Sequence, residues 1–138
     1  MLPWSEIFET GHPRIDSEHK TLIGYINQLE GMSCNTNPSR EQIEFIFKLV
    51  DFVETYTAVH FKHEESCMVC RKCGAYQENK AAHEHFLQFF GQFKQRFKTE
   101  GCRPAVLEEL HTTCSFWIQS HILRVDMKLK PYVNQKAK

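Results

Sequence analysis

Residues 39–64 read SREQIEFIFKLVDFVETYTAVHFKHE. Within this stretch Ile43, Phe47, Val50, Val53 and Phe61 recur at the spacing that gathers side chains onto one face of an α-helix. Ser39, followed three residues later by Gln42 and preceded by Pro38, fits a capping box that opens the helix. Near the other end, His60 and Glu64 are four residues apart and project roughly 40° apart on one face. Imidazole and carboxylate together suit iron, manganese or zinc, and carboxylates bridge paired metals well. Gly74 is expected to close this helix near residue 73.

The same periodicity appears three more times. Leu22, Ile23, Ile26 and Leu29 mark a helix over about residues 16–31. Phe86, Phe89, Phe90, Phe93 and Phe97 mark another over about 77–99, ended by Gly101. Pro104 suits the first turn of a fourth, whose apolar positions Val106, Leu110, Cys114, Trp117, Ile118 and Val125 carry it on to Pro131. Strand signals are nearly absent. Short connections force neighbouring helices to run antiparallel, so the expectation is an all-α, up-down-up-down four-helix bundle. Residues 1–138 form one domain, with 1–15 as an N-terminal arm and 16–131 as the bundle. The arm carries Trp4, Ile7 and Phe8 and is expected to pack across the bundle end.

In such a bundle the start of the first helix, the end of the second, the start of the third and the end of the fourth share one end. His19, His60, Glu64, His83, His121 and Asp126 all fall there. Histidines scattered over a surface would not sort by end in this way. His121 and Asp126 fit least well, because five residues turn an α-helix by about 140° off one face. A local π-type turn would bring them together.

Composition narrows the function classes. The chain has 138 residues with Lys+Arg and Asp+Glu equal at 17 each, so no basic excess argues for nucleic acid. No apolar run reaches the ~18 residues of a membrane span. Residues 1–15 lack an apolar leader core, so no signal peptide is expected and the cytoplasm is the expected compartment. Six cysteines, at 34, 67, 70, 73, 102 and 114, are then expected as thiols rather than as a disulfide framework.

Four segments now show a resemblance: Ile15–Lys20, His60–Glu65, Asn79–Leu87 and Trp117–Asp126 are similar to the ligand segments of the hemerythrins, especially the bacteriohemerythrins. The resemblance runs from Trp4 to about Pro131. It implies two iron ions with a bridging oxo or hydroxo group and reversible binding of dioxygen for carriage, storage or sensing. His19 and His60 would hold one iron, His83 and His121 the other, and Glu64 and Asp126 would bridge both. The family places a third histidine on the second iron, four residues before the position of His83. This chain has Asn79 there, which implies a weakened or lost ligand. An open position at that iron is what would favour the alternative, a diiron enzyme with peroxidase, oxidase or NO-handling activity. The resemblance also implies that Trp117 and Ile118 border the ligand pocket.

The remaining candidates read more plainly. His85 lies two residues beyond His83, about 200° around the helix, and is expected on the surface or between helices. His63, three residues after His60 and near the same face, is expected on a solvated flank, with a supporting position behind the metal ligands as the alternative; Glu65 is expected to point outward, and His12 and His111 are expected to be structural or exposed. Cys67, Cys70 and Cys73, at spacings of three, would line one helix face. They read as free thiols, or else as a redox or metal-delivery group, with no fourth ligand in view. Cys34 and Cys102 fall in loops that share the other bundle end, which would let the two approach each other.

Overall fold

The computed structural model describes residues 2–33 and 37–133. Four long helices dominate: α1 (Pro13–Ser33), α2 (Arg40–Cys70), α3 (Tyr76–Glu100) and α4 (Pro104–Arg124). A 3-10 turn at Glu6–Phe8 precedes them, and a second at Asp126–Leu129 leads into the short α5 (Lys130–Val133). α1 packs against α2 and α4, and α3 closes the ring against the same two helices. This is the expected antiparallel four-helix bundle, and no strand occurs among the described residues.

The helix ends show local chemistry at work. The Ser39 hydroxyl accepts from Gln42 N at 3.2 Å while the Gln42 side chain accepts from Ser39 N at 2.7 Å, completing the capping box. α3 stops at Gly101, whose φ of +84° few other residues adopt. α2 ends earlier than expected: it stops at Cys70, and Lys72, at φ +55°, takes the left-handed position expected of Gly74. α1 starts at Pro13 rather than residue 16, which moves His19 from the first turn to the second. Proline at the first position gives up only an N–H that the helix does not use.

α4 ends at Arg124 and does not run on to Pro131. Val125, at φ −114° and ψ −56°, breaks the α pattern and starts the tighter 3-10 turn that carries Asp126. No π-type turn is involved.

Two apolar clusters bracket the ligand end. The larger fills the bundle with Leu22, Ile26, Val50, Phe90, Leu107 and Ile122, among others. The smaller, formed by Ile15, Met68, Cys73, Ala75 and Leu129, seals the end itself. The arm does not cross that end. It runs back along the bundle, where Leu2 exchanges two hydrogen bonds with the Asn27 side chain at 3.0 and 2.9 Å. Phe8 enters the core, Lys20 covers the Trp4 ring, and Ile7 is exposed.

Asp16 fastens the arm to α1. Its carboxylate accepts from Thr10 N and Thr10 Oγ1, both at 2.8 Å, and from Gly11 N at 3.1 Å. Thr10 is fully buried, so Asp16→Ala strands a buried donor pair and should cost about 1–3 kcal/mol. The check is a urea titration followed by helical circular dichroism.

Candidate metal centre

The structure brings His19, His60, Glu64, His83, His121 and Asp126 into one buried cluster, each at most 7% exposed. Two poles are evident. At the first, His19 Nε2 and His60 Nε2 lie 3.1 and 3.2 Å from Glu64 Oε2. At the second, His83 Nε2 lies 3.0 Å from Glu64 Oε1, and the Nε2 atoms of His83 and His121 are 3.2 Å apart. Asp126 spans the same poles, with Oδ2 3.2 Å from His19 Nε2 and Oδ1 3.2 Å from His121 Nε2. Each carboxylate therefore presents one oxygen to each histidine pair.

These separations suit a metal site. Adjacent ligands about 2.1 Å from an octahedral ion lie about 3 Å from one another. One group of candidate ligand atoms, from His19, His60 and Glu64, lies within 4.8 Å of one another, and so does a second from Glu64, His83, His121 and Asp126. Asp126 Oδ1 is buried yet makes no hydrogen bond. A buried anionic oxygen in that condition carries a free-energy cost that a cation would remove. The donor set, four imidazoles and two carboxylates, is of the kind that holds paired transition metals.

Outer groups orient the rings, and here the sequence reading missed two residues. Glu18 accepts from His60 Nδ1 at 2.9 Å and Glu65 accepts from His83 Nδ1 at 2.8 Å. Each bond fixes the proton on Nδ1 and turns Nε2 inward. Glu65 thus faces the neighbouring helix rather than pointing outward. His63 is not a solvated flank either: its Nδ1 donates to Glu18 at 2.8 Å, and its Nε2 lies 2.8 Å from an Arg14 nitrogen. The available signal was position, since Glu18 precedes one metal-binding candidate and Glu65 follows another. One residue is a 100° step around a helix, enough to aim a side chain at the adjacent helix.

Asn79 is wholly buried in the second pole. Its Oδ1 is 2.6 Å from His121 Nε2, and its Nδ2 donates to Glu64 Oε1 at 2.9 Å and to Met68 Sδ at 3.3 Å. His85 is exposed and takes no part. Aromatic rings wall this pole: Phe61 stacks on His83 with centroids 3.7 Å apart, and Trp117 stacks on His121 at 4.4 Å. Ile118 is buried in the main core. His12 sits at the start of α1, where its Nδ1 accepts from Ile15 N at 3.3 Å, and His111 pairs with Glu30.

The three thiols do not share a face. Cys70 is exposed at the end of α2, while Cys73 lies beyond the helix, buried, with its Sγ 3.8 Å from Lys128 O. All three are free, as is Cys102. Its suggested approach to Cys34 lies outside the described residues.

Charge in the cluster is strongly coupled. Burial alone would push the His19 pKa down, but hydrogen bonds and charge from Asp126 and Glu64 raise it to about 10. Burial likewise opposes a charged His60, yet Glu18 and Glu64 hold its pKa above the ordinary value. Glu64 would be raised by burial, but the imidazoles of His19, His60 and His83 hold it well below the usual carboxylate range. In the metal-free protein, the stabilising contribution of His19 is complete below its ordinary pKa of 6.5 and lost as pH rises through about 10. That of Glu64 is present above 4.5 and is lost as pH falls through its depressed folded value. Metal-free protein should therefore lose stability on alkalinisation, and His19→Gln should flatten that loss. Urea midpoints measured from neutral pH to about 10 check it.

Comparison with known proteins agrees with this geometry. Residues 10–133 match the family described as hemerythrin, the hemerythrin HHE cation binding domain. A bacteriohemerythrin of Stenotrophomonas maltophilia is 27% identical, covering 100% of this chain and 88% of that protein. A myohemerythrin of Sipunculus nudus is 29% identical over 92% of this chain and 89% of its own length. A bacteriohemerythrin of Pseudomonas aeruginosa is 30% identical over 91% of this chain and 76% of its own length. A crystal structure of wild-type hemerythrin superposes with a TM-score of 0.80 at 22% identity, covering 98% of this chain and 99% of that one, and so supports the fold.

Proposed function

The chain belongs to the hemerythrin family, and from that premise we propose that it holds two iron ions and binds dioxygen reversibly. The observation that carries the reading is the pair of buried carboxylates, Glu64 and Asp126, each facing both histidine pairs. In this reading His19 and His60 would hold one iron, His83 and His121 would hold the other, and Glu64 and Asp126 would serve both. A pair of iron ions held there would supply the two-electron redox chemistry that reversible binding of dioxygen requires. The protein supplies the surroundings. Glu18 and Glu65 hold His60 and His83 with Nε2 turned inward. Phe61, Phe86 and Trp117 make an apolar wall beside the second pole. That wall admits an uncharged ligand and disfavours the entry or escape of small anions.

No helix among the described residues is long and apolar enough to cross a membrane. The three thiols of Cys67, Cys70 and Cys73 stand apart from the two candidate metal groups, so the iron pair does not depend on them.

Purified protein should hold close to two irons per chain. Glu64→Ala should abolish the pair, because Asp126, the other carboxylate that reaches both poles, is already in place and cannot fill both roles. Metal analysis checks this, with the visible spectrum of anaerobically reduced protein on exposure to air. A band that forms in air and vanishes on deoxygenation supports carriage. Bleaching to a ferric form with turnover of peroxide supports the rival reading, a diiron oxidase or peroxidase. Full iron content in Glu64→Ala would contradict the bridging role.

Asn79 is the feature that favours the rival. A carboxamide is a weaker iron ligand than imidazole, so the second iron should exchange and autoxidise faster than a site with three histidines. Met68 beside it is flexible enough to make room for a larger ring. Asn79→His should slow autoxidation and tighten iron retention. Equal autoxidation rates and equal iron loss to a chelator would mean that Asn79 completes the site as well as histidine does.

A further inference from the structure

Large rings hold α3 and α4 apart. The spacing of two packed helices follows the side chains at their contact, and here these are Phe86 and Phe89 of α3 and Trp117 of α4. The two helices are the least closely packed neighbours in the ring, and a groove of about 360 Å³ lies between them. Phe86, Phe89 and Trp117 make its floor, and His85, Gln88, Gln92 and Thr113 make its rim. Among the described residues, no carboxylate, lysine or arginine lines it. The floor is at the same time the wall of the second pole. Trp117 faces the groove and stacks on His121, with centroids 4.4 Å apart and planes 11° from parallel. Phe86 lies beside it at 4.2 Å. A single layer of rings therefore separates the groove from His121.

We propose that this groove is the route by which a small uncharged molecule reaches the second pole, and that the seam between Phe86 and Trp117 is its gate. The inference rests on the reading of that pole as half of a dioxygen-binding iron pair. Trp117 is held in place by its stack on His121. Phe86 is held more loosely, with its other ring neighbours Phe61, Phe89 and Phe90 at 6.0, 6.1 and 6.0 Å, so Phe86 is the ring that yields. Dioxygen has no hydration to lose in crossing such a seam, whereas an ion crossing it gives up its water with nothing to replace it. The other approaches are less suitable. Glu54 and Lys62 line one groove between α2 and α3, and Lys62 and Glu65 line another. Passage beside Glu65 would also disturb its bond to His83 Nδ1. The end of the bundle is sealed by Ile15, Met68, Cys73, Ala75 and Leu129.

The test combines stopped-flow mixing of the reduced, iron-loaded protein with dioxygen and the fluorescence of the metal-free protein. Thr113→Phe plugs the groove from α4. Gln92→Phe plugs it from α3 and keeps the test valid if Thr113→Phe disturbs the fold, which helical circular dichroism reports. Each plug should slow dioxygen entry and release alike, by about tenfold, and leave Kd unchanged, because a barrier on the path acts equally in both directions. Phe86→Leu, which thins the seam, should speed entry by a similar factor. Thr55→Phe, in a groove between α2 and α3, should alter neither rate. In metal-free protein carrying Trp4→Phe, Trp117 is the one tryptophan left, and adding Thr113→Phe should reduce its quenching by dioxygen about threefold. Unchanged rates or unchanged quenching in the plugged proteins overturn the route. Slowing by Thr55→Phe alone overturns it too and assigns entry to the α2–α3 side. Entry no faster in Phe86→Leu overturns the gate. A protein that takes up no dioxygen overturns the reading of the iron pair instead, and the quenching of Trp117 then still decides the route.

Discussion

Glu64 and Asp126 lie in the bundle with almost no access to water, and two buried carboxylates impose a constraint that the rest of the structure answers. An ionised carboxylate taken out of water costs several kcal/mol unless charge and hydrogen bonds replace its hydration. Four imidazoles surround the pair, and their response is visible in the raised His19 and His60 pKa values and the depressed Glu64. Protons do in the metal-free protein what bound cations would do in their place. The bundle's connectivity supports the arrangement: α1, α2, α3 and the turn after α4 each deliver a residue to the same depth. The cluster of Ile15, Met68, Cys73, Ala75 and Leu129 then closes the end over them.

Orientation comes from a second ring of polar groups. Glu18 on α1 holds His60 on α2, and Glu65 on α2 holds His83 on α3, so each of these bonds spans two helices. The same bonds that aim a ring also lock neighbouring helices in register. On the first side the chain of contacts runs outward through His63 to Arg14 at the surface. The second pole differs. There His121 meets the Asn79 carboxamide, and the stacked Phe61 and Trp117 rings take up the space that polar neighbours would otherwise fill. The two poles are thus chemically unequal, which is where the carrier and enzyme readings part.

Much of this was legible in the sequence. Helical periodicity and short connections determine the bundle, and the sorting of histidines and carboxylates to one end follows from direction alone. What escaped was set by local backbone detail. Five residues along an ideal helix would aim Asp126 away from His121, and only the break at Val125 brings it round. The ending of α2 depends on Lys72 accepting a left-handed conformation that sequence reasoning reserves for glycine. Glu18 was passed over, and His63 and Glu65 were read first as solvated, because exposure is the common state of such side chains. Their partners lie on other helices, and no spacing within one helix announces them.

The central claim is that Glu64 and Asp126 join two metal positions, each also held by its own pair of histidines. Anomalous diffraction at the iron edge, from crystals of protein loaded anaerobically with ferrous iron, addresses it most directly. The account predicts two iron peaks, one against His19 and His60 and the other against His83 and His121, with a carboxylate oxygen of Glu64 and of Asp126 on each. One peak alone, or a second peak away from His83 and His121, would contradict it.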